Sequence, residues 1–92
     1  MAIFEWDEDK NISNFEKHKV RFYDAIKAFD DKNRVVFHDI KHSETENRMI
    51  CLGAVNGVVM TVRFTMRGEV IRIFGAAYWR KGKKDYEQAN AN

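Results

Sequence analysis

Proline is absent from the 92 residues and cysteine occurs once. No apolar run approaches the ~20 residues of a membrane-spanning helix, since the longest stretches are interrupted by Arg63 and Arg72. The lone thiol, Cys51, cannot close an internal disulfide. Secreted chains this small are usually stapled by several disulfides, so a reducing, cytoplasmic setting is expected. The N-terminus, Met1 to Asp7, has neither a basic segment nor an apolar one and does not read as a signal peptide. There is no repeat, linker or low-complexity segment, so residues 1–92 are read as a single domain.

The chemical motifs that are missing narrow the function further. No glycine-rich phosphate loop, nucleotide fingerprint or carboxylate dyad is present, and Ser43 lacks the G-x-S-x-G surroundings of a hydrolase nucleophile. His38, Asp39 and His42 would make thin metal ligation, with no H-E-x-x-H and no paired cysteines. The chain is therefore expected to need no metal and no cofactor. Ser43 with Glu46 fits the S-x-x-E capping pattern instead.

What is present is aromatic and asymmetrically charged. Seven Phe, three Tyr and two Trp mark a chain that folds. The net charge of +2 conceals an acidic head, Glu5, Asp7, Glu8, Asp9 and Glu16 against Lys10. It also conceals a basic second half, where Arg63, Arg67, Arg72, Arg80, Lys81, Lys83 and Lys84 face only Glu69 over residues 63–84. Such a surface meets phosphate, an acidic partner, or both.

Local patterns order the elements. Phe4-Glu5-Trp6 reads as a short strand, and Asp7 as the N-cap of a helix over 8–18 that carries Ile12 and Phe15 on one face. Phe22, Ala25, Ile26 and Phe29 form the apolar stripe of a second helix over about 21–30. Strands are expected at 34–38 and 48–55, separated by an exposed loop over 39–47. Asn56-Gly57 then turns the chain into a strand over 58–65, because that pair accommodates two positive φ angles. Arg67-Gly68 leads to a last strand over 70–77, with Val70, Arg72, Phe74 and Ala76 on one face and Ile71, Ile73 and Gly75 on the other. A basic helix over about 80–89 ends the chain. The expected architecture is a two-layer α+β domain: a four-stranded antiparallel meander with helices on one face and the other face partly open.

Arg63 and Arg72 stand on neighbouring strands and can share that open face. Tyr78, Trp79, Arg80, Lys81, Lys83 and Lys84 combine cations with stacking rings, the mixture that RNA binding requires; an isolated basic helix of this kind is also commonly a solvated face. Lys17-His18-Lys19 ends the first helix, where cations suit the dipole and where His18 also offers a group that exchanges protons near neutrality. RNA cleavage is compatible with such a set, since the 2′-OH of RNA is itself the nucleophile and the protein need only position, neutralise charge and move protons.

Phe4-Glu5-Trp6-Asp7, Lys10, Asn14, Lys17-His18, Val20, Phe22, Ala25, Phe29-Asp30, Asp39, His42-Ser43, Glu46, Arg48, Gly53 and Ile71-Arg72-Ile73 follow one another in an order and spacing that resembles the BrnT family over about residues 3–87. F-E-W-D, then K-H, then H-S-x-x-E-x-R, is rather specific jointly. The resemblance implies a RelE-like ribonuclease fold, metal-independent RNA cleavage that inhibits translation, and neutralisation by a cognate BrnA-like antitoxin in a toxin–antitoxin hetero-oligomer. Carried over position by position, Lys17 and His18 take the proton-transfer role, and Arg48 and Arg72 stabilise the phosphate. One departure is clear: where the family commonly reads I-S-A-R, this chain has Phe74-Gly75-Ala76-Ala77. The usual serine and arginine are thus missing. Tyr78 or Arg80 is the expected substitute, the alternative being an RNA- or antitoxin-binding module with weak or no turnover.

Overall fold

The computed structural model describes residues 2–42 and 46–91. Helix α1, Glu8–His18, starts where Asp7 Oδ1 accepts the backbone N–H groups of Asp9 and Lys10 at 2.8 and 3.3 Å. It stops at Lys19, whose left-handed backbone (φ 59°) returns its N–H to Phe15 O. The second helix is shorter than its stripe suggests. Phe22–Ala25 is α2, and Ile26–Asp30 tightens into a 3-10 turn. The three-residue repeat buries Phe22, Ala25 and Ala28, while Phe29 turns edge-on to Phe4 and Phe64. A close approach explains the tightening. The Ala28 carbonyl lies where a side chain at Gly53 would begin, so the turn rests directly on the sheet.

The strands are β1 (Ile3–Glu5), β2 (Val35–His38), β3 (Arg48–Val55), β4 (Val58–Arg67) and β5 (Val70–Ala77), joined in the order β1-β5-β4-β3-β2. The antiparallel meander is present from β2 to β5, but the sheet has a fifth member. β1 pairs in parallel with β5, Phe4 opposite Ile71 and Glu5 opposite Arg72, and makes the sheet mixed. The expected strand at the N-terminus is real; its partner is set by a contact 67 residues away that no local pattern announces. Asn56 (φ 51°) and Gly57 (φ 83°) form the expected hairpin turn.

The alternation expected for β5 holds only as far as Ile73. A bulge makes Arg63 pair with Gly75 where Phe74 would have stood, and the register beyond it is inverted. Ala76 therefore joins Val62 in the core, while Gly75 shares a face with Arg63.

One face of the sheet carries the core. Cys51, Met60, Val62, Phe64, Ile73 and Ala76 pack against Phe22, Ala25 and Ala28. Burial pushes the Cys51 thiol up to about 12, leaving it an inert core side chain. Helix α3, Arg80–Ala89, does not join the other helices. It crosses the opposite face, where buried Gly82 sits directly against Thr61 and Leu52. The sheet is thus covered on both sides, and the expectation of two layers with all helices on one face is corrected. The reason is Gly82, which lets α3 lie close to a face that the strand pattern alone marks as open.

The loop expected over 39–47 contains a short 3-10 turn, Ile40–His42, with His42 Nδ1 2.9 Å from Asp39 Oδ2. Ser43, and with it the S-x-x-E cap, lies outside the described residues.

Candidate functional site

β1 covers only the first part of the outer edge of β5, and α1 closes the rest. Asn14 does this with one side chain. Its Nδ2 donates to Ala76 O at 2.9 Å and its Oδ1 accepts from Ala76 N at 3.1 Å, replacing the missing neighbour strand. The same Nδ2 donates to Val20 O at 2.9 Å, and Asn11 Oδ1 accepts the Phe22 N–H at 2.8 Å, fixing the turn into α2. The face of α1 that meets the sheet is therefore polar and centred on Asn14. Of the two apolar residues expected on one face of α1, Ile12 is 53% exposed and Phe15 lies under the Arg21 guanidinium at 3.9 Å.

Anchoring α1 on β5 opens a cleft of about 290 Å³ between them. Lys10, Ser13, Lys17 and His18 recur at helical spacing on the α1 side, and Phe74, Gly75 and Ala76 form the β5 side. Arg63 reaches in from β4, and Trp79 closes the end. The His18 and Trp79 rings meet edge to face at 5.6 Å, and the Arg63 guanidinium lies 4.6 Å from the Trp79 ring centre. Gly75 borders this arrangement: the Arg63 stem passes 3.7 Å from where a side chain would start, an ordinary contact. Arg63 Nε is buried without a hydrogen-bond partner, and no ion pair involves Arg63 among the described residues. A guanidinium held on an indole face and not neutralised by a carboxylate is ready for an anion.

The sequence-derived site residues separate into three groups. Lys17 and His18 share the cleft with Arg63 and Trp79. Arg48 stands just outside it, 4.9 Å from the centre of the Phe74 ring that walls the cleft, with Glu46 at 3.6 Å. Arg72 lies on the same sheet face but is turned toward β1, where Nη1 contacts Glu5 Oε2 at 2.6 Å. Of the residues singled out for RNA binding at the end of the chain, only Trp79 lines the cleft. Lys81 pairs with Asp85 at 3.2 Å on a largely solvated face, and Tyr78, Arg80, Lys83 and Lys84 are exposed.

The substitute expected for the missing arginine is also placed. Ala77 is 2% exposed and pairs with Thr61, so an arginine there would have to displace the packing around it. Neither Tyr78 nor Arg80 lines the cleft. The guanidinium in the cleft comes from Arg63, and the physical reason is the bulge at Phe74, which puts Arg63 beside Gly75. Lys10, Ser13 and Asn14 are the α1 residues of the cleft that were not among the sequence-derived site residues. Their signal was the polar stripe Lys10, Ser13, Asn14, Lys17, His18, which has as clear a helical period as any apolar one.

A small α+β domain that gathers ammonium, imidazole, guanidinium and indole groups around one cleft has the donors that holding a phosphate-bearing ligand would require. The family model for the ribonuclease toxin BrnT of type II toxin–antitoxin systems matches residues 6–82. A search of curated proteins gave no match. The chain belongs to the BrnT family, whose members act on RNA and are paired with an antitoxin.

Proposed function

We propose that this chain cleaves RNA without a metal ion, that cleavage inhibits translation in the cytoplasm, and that a BrnA-like antitoxin silences it by binding the domain. The observation that supports this best is the meeting of Lys17 and His18 from α1 with Arg63 from β4 in one cleft. In the reaction, the ribose 2′-oxygen attacks the adjacent phosphorus and gives its proton to a base. The bond from phosphorus to the 5′-oxygen breaks, and that oxygen takes a proton from an acid. A 2′,3′-cyclic phosphate and a free 5′-hydroxyl result. His18 and Lys17 are the proton-transfer groups of the cleft. Arg63, with Arg48 beyond Phe74, offsets the charge that builds on the phosphorane. Arg72 lies on the same sheet face, outside the cleft and paired with Glu5.

The test is cleavage by purified protein in excess EDTA, with the new ends analysed for cyclic phosphate. His18→Ala, Lys17→Ala and Arg63→Ala should each lower the rate by about 10²-fold or more, with circular dichroism unchanged. Full activity in all three would remove the cleft from the mechanism. Growth arrest on expression alone, relieved by the antitoxin, tests the cellular reading.

One observation favours a second reading. Gly75 and Ala77 stand where the family's usual serine and arginine would be. A chain that binds RNA or antitoxin without turnover would show salt-dependent affinity for RNA but no cyclic-phosphate ends.

A further inference from the structure

We propose that a second groove, beside the cleft, holds one nucleobase of the RNA and so selects the nucleotide flanking the cut. The proposal rests on the ribonuclease reading above. The groove measures about 560 Å³ and lies on the far side of Arg63 and Trp79, the two residues that line both spaces. Its floor is Ile50 and Leu52, and Phe37 and Ile40 form one bank. A phosphate held by Arg63 in the cleft therefore has this apolar recess as its immediate neighbour.

The volume is that of a small-ligand pocket. A recess of that size, continuous with the cleft through Arg63 and Trp79, favours a base attached to the bound phosphate over a docked helix. Phe37 and Ile40 are 38% and 85% exposed, so flat apolar surface is already facing water and is gained by whatever covers it. The groove also has groups for the edge of a base. His42, held by Asp39 at 2.9 Å, and His38 stand on one bank, and Lys81 on the other. Thr61 Oγ1 and Arg63 Nε are the buried side-chain polar atoms left without partners among the described residues, and both residues line this groove. Thr61 Oγ1 is sealed under Gly82, so of the two it is the Arg63 side chain, shared with the cleft, that a ligand in the groove can meet.

The test is binding, so it does not depend on turnover. Short 2′-O-methyl oligoribonucleotides, which cannot be cut, are titrated against the full chain. The series carries a single abasic residue moved one position at a time. One position should cost about tenfold in affinity, the size of a base-stacking contact. In the Phe37→Ala/Ile40→Ala variant, and in Ile40→Ala alone, that step should shrink or vanish while the intact backbone is still bound. Equal affinity for every member of the series overturns the groove and leaves the ribonuclease reading standing. An abasic step that survives in both variants also overturns it, all the more if those variants have lost antitoxin binding, which would make the groove a protein site. Binding to no member at all removes the RNA reading and this one together.

Discussion

Two glycines show how much one Cβ decides. At Gly53 a Cβ would stand 2.1 Å from the Ala28 carbonyl oxygen, an overlap with backbone that no rotamer relieves. Gly53→Ala should lower stability by about 2 kcal/mol or more, read as a fall in the denaturant midpoint, because the 3-10 turn must leave the sheet. At Gly75 the nearest atoms are 3.7 and 3.8 Å away, both on the Arg63 stem, which is ordinary contact. Gly75→Ser should therefore fold as the parent does and, with its hydroxyl in the cleft, cleave RNA at least as fast. A Gly75→Ser protein that folds but loses cleavage would show that space beside Arg63, not a hydroxyl, is what this chain requires.

At the scale of elements, the placement of α1 rests on one amide. Asn14 is 8% exposed and satisfies both backbone groups of Ala76. Asn14→Ala would leave a buried N–H and C=O unpaired, at a cost of about 2 kcal/mol or more. It should also loosen α1 from β5, so that RNA cleavage falls further than the loss of folded protein explains. Activity per folded molecule that stays at the parental level would show that the helix keeps its place without the amide. Local signals make α1 readable in advance: an aspartate cap, acidic residues in its first turn and basic ones in its last. Which side of it faces the sheet was not readable, because the buried stripe is polar and apolar period-counting passes over it.

At the scale of the molecule, the two sides of the sheet are tied together through Asp31. Its Oδ2 accepts the Ala54 N–H at 2.7 Å and the Tyr86 hydroxyl at 2.6 Å, so the end of α3 is bound to the turn after the 3-10 segment. The Ala54 N–H and then the Tyr86 hydroxyl hold the Asp31 carboxyl below its ordinary value. The same bond raises Tyr86 above the ordinary phenol value. A depressed carboxylate contributes stability that is complete above about pH 4 and is lost as the pH falls through the lower folded value. The raised phenol contributes below about pH 10 and loses its share as the pH rises through its folded value. Tyr86→Phe should cost about 1 kcal/mol at neutral pH. Asp31→Asn should flatten the acid limb of the stability profile, measured by denaturant titration from pH 2 to 7. An acid limb as steep as the parent's would place its origin in other carboxylates.

Sequence alone determined the features that depend on near neighbours. The bounds of α1 and α3, the Asn56-Gly57 hairpin and the alternation of β4 follow from local composition, turn chemistry and period-two patterning within a few residues, while the resemblance to BrnT rests on the order of quoted residues along the chain. Tertiary structure alone decided the parallel pairing of β1 with β5, the crossing of α3 over the opposite face, and the inversion of β5 at Phe74. It also decided that Arg63 rests on Trp79 in the cleft while Arg72 is held by Glu5 outside it. These outcomes rest on register and close approach between distant segments. A one-residue bulge exchanges the faces of everything beyond it, and only the packed chain specifies where that residue is accommodated.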